Sequence, residues 1–228
     1  MKNGFIAALA IARKDLQTEL RTKESITASL SFSLVILVLF SFAFDLGREE
    51  LYAISGGLLW LVYSFAGALI VNRSFARELP NDCLDVLVSS PAPGWSIFLG
   101  KAVAAFLLLV TVELVALPFF GLFYNIAWWN SPWLLLLVVF LATWGIAVVG
   151  VAFSAVTVNV RLRELMLPVL LYPMLIPLLL GAIGTTTALF SRDAEAMASI
   201  GSSIRLMIVF DVIYTSLSLY IIEFILIV

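Results

Sequence analysis

Histidine is absent from the 228 residues, and Cys83 is the single cysteine. The first absence removes the commonest metal and haem ligand and the commonest general base, which argues against metal-dependent hydrolysis and His-dependent nucleophilic catalysis. The second excludes an internal disulfide, a thiolate metal cluster and a CxxC redox pair. Charge is scarce too: only 12% of the residues are Asp, Glu, Lys or Arg, against about 25% in soluble domains. Thirteen Lys and Arg against fifteen Asp and Glu leave a net charge of -2, so no basic excess points to nucleic acid. No Gly-x4-Gly-Lys-Ser/Thr run occurs, so ATP hydrolysis by the P-loop route belongs to some other chain or not at all. What is abundant is apolar: 63% of the residues are hydrophobic, and the mean hydropathy is +1.12. No single core hides that much apolar surface from water, so a water-soluble fold is ruled out.

A helix needs about 20 consecutive apolar residues to cross the hydrocarbon layer, with every backbone amide bonded inside its own segment. Six stretches qualify: Ile26 to Phe44, Leu51 to Val71, Ala102 to Tyr124, Trp133 to Val158, Met166 to Leu189 and Ile204 to Val228. The expected fold is therefore an all-α integral membrane protein, one transmembrane domain over residues 1–228. The fifth stretch holds Pro168, Pro173 and Pro177, then Gly181 and Gly184, and is expected to be kinked or broken.

The connections sort by charge. Lys2, Arg13, Lys14, Arg21 and Lys23 precede the first span, Arg73, Arg77 and Lys101 separate the second from the third, and Arg161 and Arg163 separate the fourth from the fifth. Arg48, Arg192 and Arg205 fall on the other side. Positive-inside logic puts the N-terminus in the cytoplasm of an inner-membrane protein, and six spans return the C-terminus there. Trp128, Trp129 and Trp133 read as an interfacial aromatic belt on the outer side.

Met1 to Ala12 has the makings of a short signal peptide, with Lys2 ahead of an apolar run and Ala10-x-Ala12. The charges that follow directly favour instead an amphipathic helix over residues 1–24, with Phe5, Leu9, Ala12, Leu16 and Leu20 as its apolar stripe and Glu19 paired to Lys23 four residues on. Such a helix lies along the inner membrane surface; a solvated lead-in is the plainer alternative.

The loop over residues 72–100 carries the most information. Asn72-Arg73-Ser74-Phe75-Ala76-Arg77-Glu78 leads to Asp82-Cys83-Leu84-Asp85-Val86-Leu87-Val88 and stops at Ser90-Pro91-Ala92-Pro93-Gly94. Leu84, Leu87 and Val88 share one helical face and Asp82 and Asp85 another, so the middle predicts a short amphipathic helix ended by the Pro-Gly cluster. An anionic inner leaflet repels Glu78, Asp82 and Asp85, which leaves a docking helix for a partner protein or a plain connection.

Ionisable groups inside spans are costly and draw attention. Glu113 lies twelve residues past Lys101, roughly 18 Å in at 1.5 Å per residue, near the midplane. It faces a translocation path, or it is a protonated carboxyl bonded to a neighbouring helix. Asp211 and Glu223 lie nearer the ends of the expected last span and read as structural, and Lys101 is expected to snorkel to the surface. Gly145, Gly150 and Ser154 allow close helix packing.

Ala12-Arg13-Lys14-Asp15-Leu16 with Glu19-Leu20-Arg21 and Glu24, then Leu59-Trp60, Arg73-Ser74-Phe75, Leu84 and Leu87 before Ser90-Pro91, Leu99-Gly100-Lys101, and Leu167-Pro168-Val169-Leu170 through Ile176-Pro177-Leu178-Leu179 resemble the haem exporter protein B family of cytochrome c maturation, CcmB. The resemblance covers nearly the whole chain. It implies an ABC exporter permease-like fold and a non-catalytic permease subunit, with ATP on a separate ABC ATPase subunit and haem as cargo. It also implies a haem-handling membrane protein and a haem chaperone as partners, and two copies in the complex. Residues Arg73, Phe75, Arg77, Glu78, Asp82, Leu84, Asp85, Leu87 and Val88 would then dock the ATPase, with Glu113 and Asp211 as pathway or packing groups. Without histidine, haem iron would need Met, Cys or Tyr, so mechanical coupling is favoured over axial ligation, and no cofactor is expected on this chain. The alternatives are an ABC permease for a lipid or glycan, and a proton-coupled transporter using Glu113 and Asp211.

Overall fold

The computed structural model describes residues 2–43, 48–79, 83–158, 160 and 162–227. The helices in chain order are α1 (Lys2–Thr22), α2 (Glu24–Ala43), α3 (Arg48–Ala76), α4 (Cys83–Val88), α5 (Gly94–Tyr124), α6 (Pro132–Thr157), α7 (Arg163–Ser191) and α8 (Ala194–Ile227), with a 3-10 turn at Trp128–Asn130 between α5 and α6. Among the described residues there is no strand. Six of the helices, α2, α3 and α5 to α8, are long and apolar enough to cross a membrane, matching the six expected spans. The expected ends at Phe44 and Val228, and Arg161, lie outside the described residues.

Two boundaries differ from expectation for identifiable reasons. The last helix starts at Ala194 rather than Ile204, because Asp193 nucleates it: its carboxylate accepts from the Ala196 amide at 3.3 Å, and its carbonyl accepts from Met197 at 2.9 Å. The serines and Gly201 of those first turns are too polar for a hydropathy window to include. Asp211 consequently sits in the middle of α8 instead of near an end. The fifth span is not broken: α7 runs unbroken through Pro168, Pro173 and Pro177. Each proline removes one backbone donor without reversing the chain, and the packing of α3, α6 and α8 around α7 holds it as one rod.

α3 is the central element, in contact with α2, α5, α6 and α7, and its Trp60 and Tyr63 are among the largest fully buried side chains. Trp60 donates to Thr186 of α7 at 2.9 Å, and Tyr63 donates to the Glu113 carbonyl of α5 at 3.0 Å. α2 buries Ser25, Ser29, Ser33 and Leu37, four residues apart on one face. Small side chains at that spacing let two helices approach closely in lipid, where no hydrophobic force drives them together; Ser29 reaches the Ala66 carbonyl of α3 at 3.3 Å.

Gly150 lies under Val71, and the Phe75 amide donates to Ser154 at 3.4 Å, so these small residues pack as expected. Trp129 and Trp133 are exposed, while Trp128 covers Gly121 at the end of α5. Because the long helices alternate in direction, the α1–α2 junction, the end of α3, α4, the start of α5, the α6–α7 connection and the end of α8 share one end of the bundle. Gly94 against Glu223 is one contact that fixes this arrangement.

The packing of α3 on α7 is tested at adjacent glycines. A Cβ on Gly56 would stand 2.3 Å from the Thr187 hydroxyl and 2.6 Å from the Ile183 carbonyl, whereas one on Gly57 would meet nothing within 4 Å. Gly56→Ala is expected to destabilise by about 1–3 kcal/mol through overpacking, and Gly57→Ala to leave stability unchanged or slightly higher; thermal unfolding in detergent by tryptophan fluorescence reads the difference.

Candidate functional site

Where α1 crosses the bundle, a small buried region collects most of the chain's useful charge. α1 presents Gly4, Ala8, Ile11 and Ala12 to the bundle, and at Gly100 of α5 an added Cβ would stand 2.6 Å from the Ala8 carbonyl. Asp15 and Glu19 continue that inward face at the helical spacing of three and four residues. Lys101, one residue after Gly100, is fully buried beneath them. Its Nζ donates to Asp15 at 3.2 Å, to Glu78 at 3.0 Å and to the Ser74 carbonyl at 2.8 Å, and lies 5.0 Å over the Phe75 ring. The expected snorkelling of Lys101 is therefore wrong. α1 closes the route to the surface, and two carboxylates and a carbonyl replace the water.

Lys14 also donates to Glu78 and pairs with Asp15 at 3.2 Å. Glu19 pairs with Arg77, and its other oxygen accepts from the Ser25 and Ile26 amides at 2.7 and 2.9 Å. Glu19 thus satisfies the open amides at the start of α2, the task of an N-cap residue, although it belongs to the preceding helix. The chain turns between the two helices at Lys23, whose φ is 56°. The expected Glu19–Lys23 pair does not form because Glu19 points inward. Arg73 pairs with Glu24 at 2.7 Å on the exposed side.

Burial by itself would raise the Glu78 carboxyl, but Lys101 and Lys14 outweigh it and hold Glu78 below its ordinary value. Burial would lower the Lys14 ammonium, but hydrogen bonding to Glu78 and the charge of Asp15 raise it. For Arg77 burial prevails over Asp15 and Glu78, and its value falls.

Of the residues expected to dock a partner, Arg77 and Glu78 are thus tied into this cluster, Phe75 is fully buried under Lys101, and Arg73 remains at the surface. In α4, Leu87 packs against the core while Val86 and Cys83 are exposed. Asp82 lies outside the described residues, as do the side chains of Leu84, Asp85 and Val88. The apolar stripe expected on α1 is divided: Ala12 is buried, Phe5 is half exposed with its ring 5.3 Å from that of Trp95 on α5, and Leu9 and Leu20 point away from the bundle.

Glu113 is buried between α5 and α6, where Thr143 donates to one carboxyl oxygen at 2.6 Å and the other has no partner among the described residues. Asp211 is buried with both oxygens unpartnered among the described residues, and a Cβ on Gly145 would stand 2.7 Å from one of them. Thr143 and Gly145 are two residues apart on α6 and so face opposite sides of it. The fold therefore does not bring Glu113 and Asp211 into one site.

Residues 6–225 match the CcmB protein family. The chain belongs to that family. Among its relatives, "Heme exporter protein B" of Rhodobacter capsulatus is 29% identical over 190 residues, 83% of this chain and 84% of the relative. The protein of the same name from Paracoccus denitrificans is 28% identical over 171 residues, covering 75% and 78% of the two chains. That of Pseudomonas aeruginosa is 26% identical over 188 residues, 82% of each. For a CcmB family member the charge cluster is the feature the sequence hides best. Lys14, Asp15, Glu19 and Lys101 look like ordinary flanking charges until the small-residue face of α1 is extended to Asp15 and Glu19.

Removing the ammonium leaves buried carboxylates short of charge, so Lys101→Met is expected to cost about 3–5 kcal/mol and to expose α1 to protease. Because Glu78 is depressed, its stabilisation is present above the ordinary glutamate value and is lost as pH falls through the lower folded value. Protection of α1 amides in hydrogen exchange, corrected for intrinsic rates, is expected to hold through mildly acidic pH and to fail only below about pH 4.

Proposed function

We propose that this chain is the membrane-spanning permease subunit of an ABC-type complex that exports haem, driven by ATP hydrolysis on a partner subunit. The observation that carries this reading is the match of nearly the whole chain to the CcmB family, with relatives named heme exporter protein B. The bundle end that holds α1 and α4 also holds Lys14, Arg73, Arg77, Lys101 and Arg163, which by the positive-inside rule is the cytoplasmic end of an inner-membrane protein. α1 lies in the inner interface with Leu9 and Leu20 toward lipid.

The ATPase engages α4 and the segment around it. Glu78 and Arg77 join that segment to the charge cluster, so a push on α4 is passed to α1, α3 and α5 together, and these three tilt as a unit against α8. Arg77, Glu78 and Phe75 act in this scheme by holding the frame, while Arg73, Val86 and the acids Asp82 and Asp85 are the contact residues. Two copies of the chain face two ATPase subunits, and a haem-handling membrane protein passes cargo to an extracytoplasmic haem chaperone. A gradient-driven mechanism through Glu113 and Asp211 has less support, because α6 separates the two carboxyls.

Val86→Asp combined with Arg73→Ala, both at exposed positions, is expected to abolish co-purification of the ATPase while membrane insertion stays normal; an intact pair contradicts the docking assignment. Glu113→Gln keeps the Thr143 contact and is expected to retain cytochrome c assembly within about twofold; complete loss at normal protein levels would favour a path-lining role instead.

A further inference from the structure

Three helices share one open side of the bundle. Phe65 of α3 stands between the other two, its ring 5.9 Å from Phe32 of α2 and 5.3 Å from Tyr172 of α7. On this side α2 shows Ala28, Ser31 and Val35, and α7 shows Val169, Pro173, Ile176 and Leu180, each set recurring at the three- and four-residue spacing of one helical face. Exposure is 40% at Phe65, 62% at Val35 and 70% at Val169, so α3 forms the floor of a shallow trough and α2 and α7 its walls. At the charged end Glu24, Arg73 and Arg163 line one cleft. The two walls therefore start at the same level.

The α7 wall is short of donors. Proline has no amide hydrogen, so Pro173 and Pro177 leave the carbonyls of Val169 and Pro173 without the bond that a helix makes four residues on. A helical carbonyl points toward the residue four places later, and here those residues are the exposed prolines themselves, so both acceptors open toward lipid. No side chain donates to either among the described residues. Hydrocarbon supplies no donor, which makes an unmet backbone acceptor costly there. The α2 wall has the converse. Ser29 and Ser33 spend their hydroxyls on the Ala66 and Ser29 carbonyls at 3.3 and 2.7 Å, whereas Ser31 is exposed and has no hydrogen bond from its hydroxyl among the described residues. At 1.5 Å per residue Ser31 lies about 10 Å past Glu24, and Val169 about 9 Å past Arg163. A free donor and a free acceptor thus stand at one depth on two walls that α3 holds apart.

We propose that this trough is the contact surface for a second copy of the chain, with α2 of each copy laid against α7 of the other and Ser31 donating to the Val169 carbonyl across the seam; the proposal rests on the two-copy permease reading above. A two-fold axis along the membrane normal keeps every helix at its own depth and direction. It therefore brings Ser31 to Val169 twice, once on each side of the axis, with no shift along the membrane. Ala28 beside Ser31 lets the two helices approach closely enough for the bond. Pairing α7 with α7 would set acceptor against acceptor, which is why the wall with the hydroxyl is the one that fits.

The test expresses two differently tagged forms of the full chain together, both Cys83→Ser, one with Ser31→Cys and the other with Val169→Cys. Oxidation in native membranes is expected to give a disulfide-linked dimer carrying both tags, and a second pair, Val35→Cys with Ile176→Cys, is expected to link through a short bis-maleimide. Without cysteines, Ser31→Ala is expected to weaken association of the copies about threefold, measured by energy transfer between labelled chains in phosphatidylcholine liposomes. In Pro173→Ala, whose new amide meets the Val169 carbonyl from within the helix, Ser31→Ala is expected to change nothing further. Tagged chains that co-purify without forming either link overturn the trough assignment and leave the two-copy reading standing; chains that never co-purify overturn that reading and this inference with it. Linking of Val169→Cys chains to one another in place of the mixed pair overturns the pairing of α2 with α7. Cysteines that stay unlinked and shielded from a lipid-soluble maleimide give the trough to a different protein and overturn the second copy as its occupant.

Discussion

A lysine ammonium with no route to water is the constraint around which the charged end of this molecule is arranged. Lys101 is fully buried, and its three donors are met by Asp15 from α1, Glu78 from the segment after α3 and the Ser74 carbonyl from α3 itself. Charge removed from water is tolerated only when it is neutralised and its hydrogen bonds are completed. Three elements distant in sequence must therefore meet at one atom. Glu19 adds a second tie by linking α1 to Arg77 and to the first amides of α2. With these contacts α1 is part of the bundle; without them it would be a surface helix resting on a narrow stripe of small residues.

Polar contacts between the spans follow the same logic in a drier place. Lipid offers no competing hydrogen bonds, so Trp60 with Thr186, Tyr124 with the Leu37 carbonyl and Trp144 with Thr215 fix the register of helices that would otherwise slide on one another. Glycines at the crossings, such as Gly100 under α1 and Gly56 under α7, supply the closeness that lets dispersion act. The result is a set of rods with definite mutual positions.

Much of this architecture is legible in the sequence, because crossing a bilayer imposes length and hydropathy on each span. The six long helices and the exposed Trp129 and Trp133 follow from that rule, and the short α4 follows from its amphipathic spacing and the Pro-Gly cluster after it. What stays hidden is what hydropathy does not encode. The start of α8 is polar and is set by Asp193. The three prolines of α7 are tolerated because of its neighbours. The destinations of Lys101 and Glu19 depend on where α1 lies, and α1 lies where Ala8 and Ile11 meet Gly100, a contact between residues far apart in the chain. The same is true of the cleft around Arg163, whose walls come from α2, α3 and α7.

On the proposed function, the central claim is that α1, α3 and α5 move as one body when a partner ATPase acts on the charged end. The direct measurement replaces Cys83 with Ser and places spin labels on Leu9 of α1 and Leu107 of α5, and in a second sample on Leu9 and Leu217 of α8. Distances are then recorded in the reconstituted complex with and without ATP. The account predicts an unchanged Leu9–Leu107 distance and a shifted Leu9–Leu217 distance on nucleotide binding; a Leu9–Leu107 distance that changes with nucleotide would contradict it.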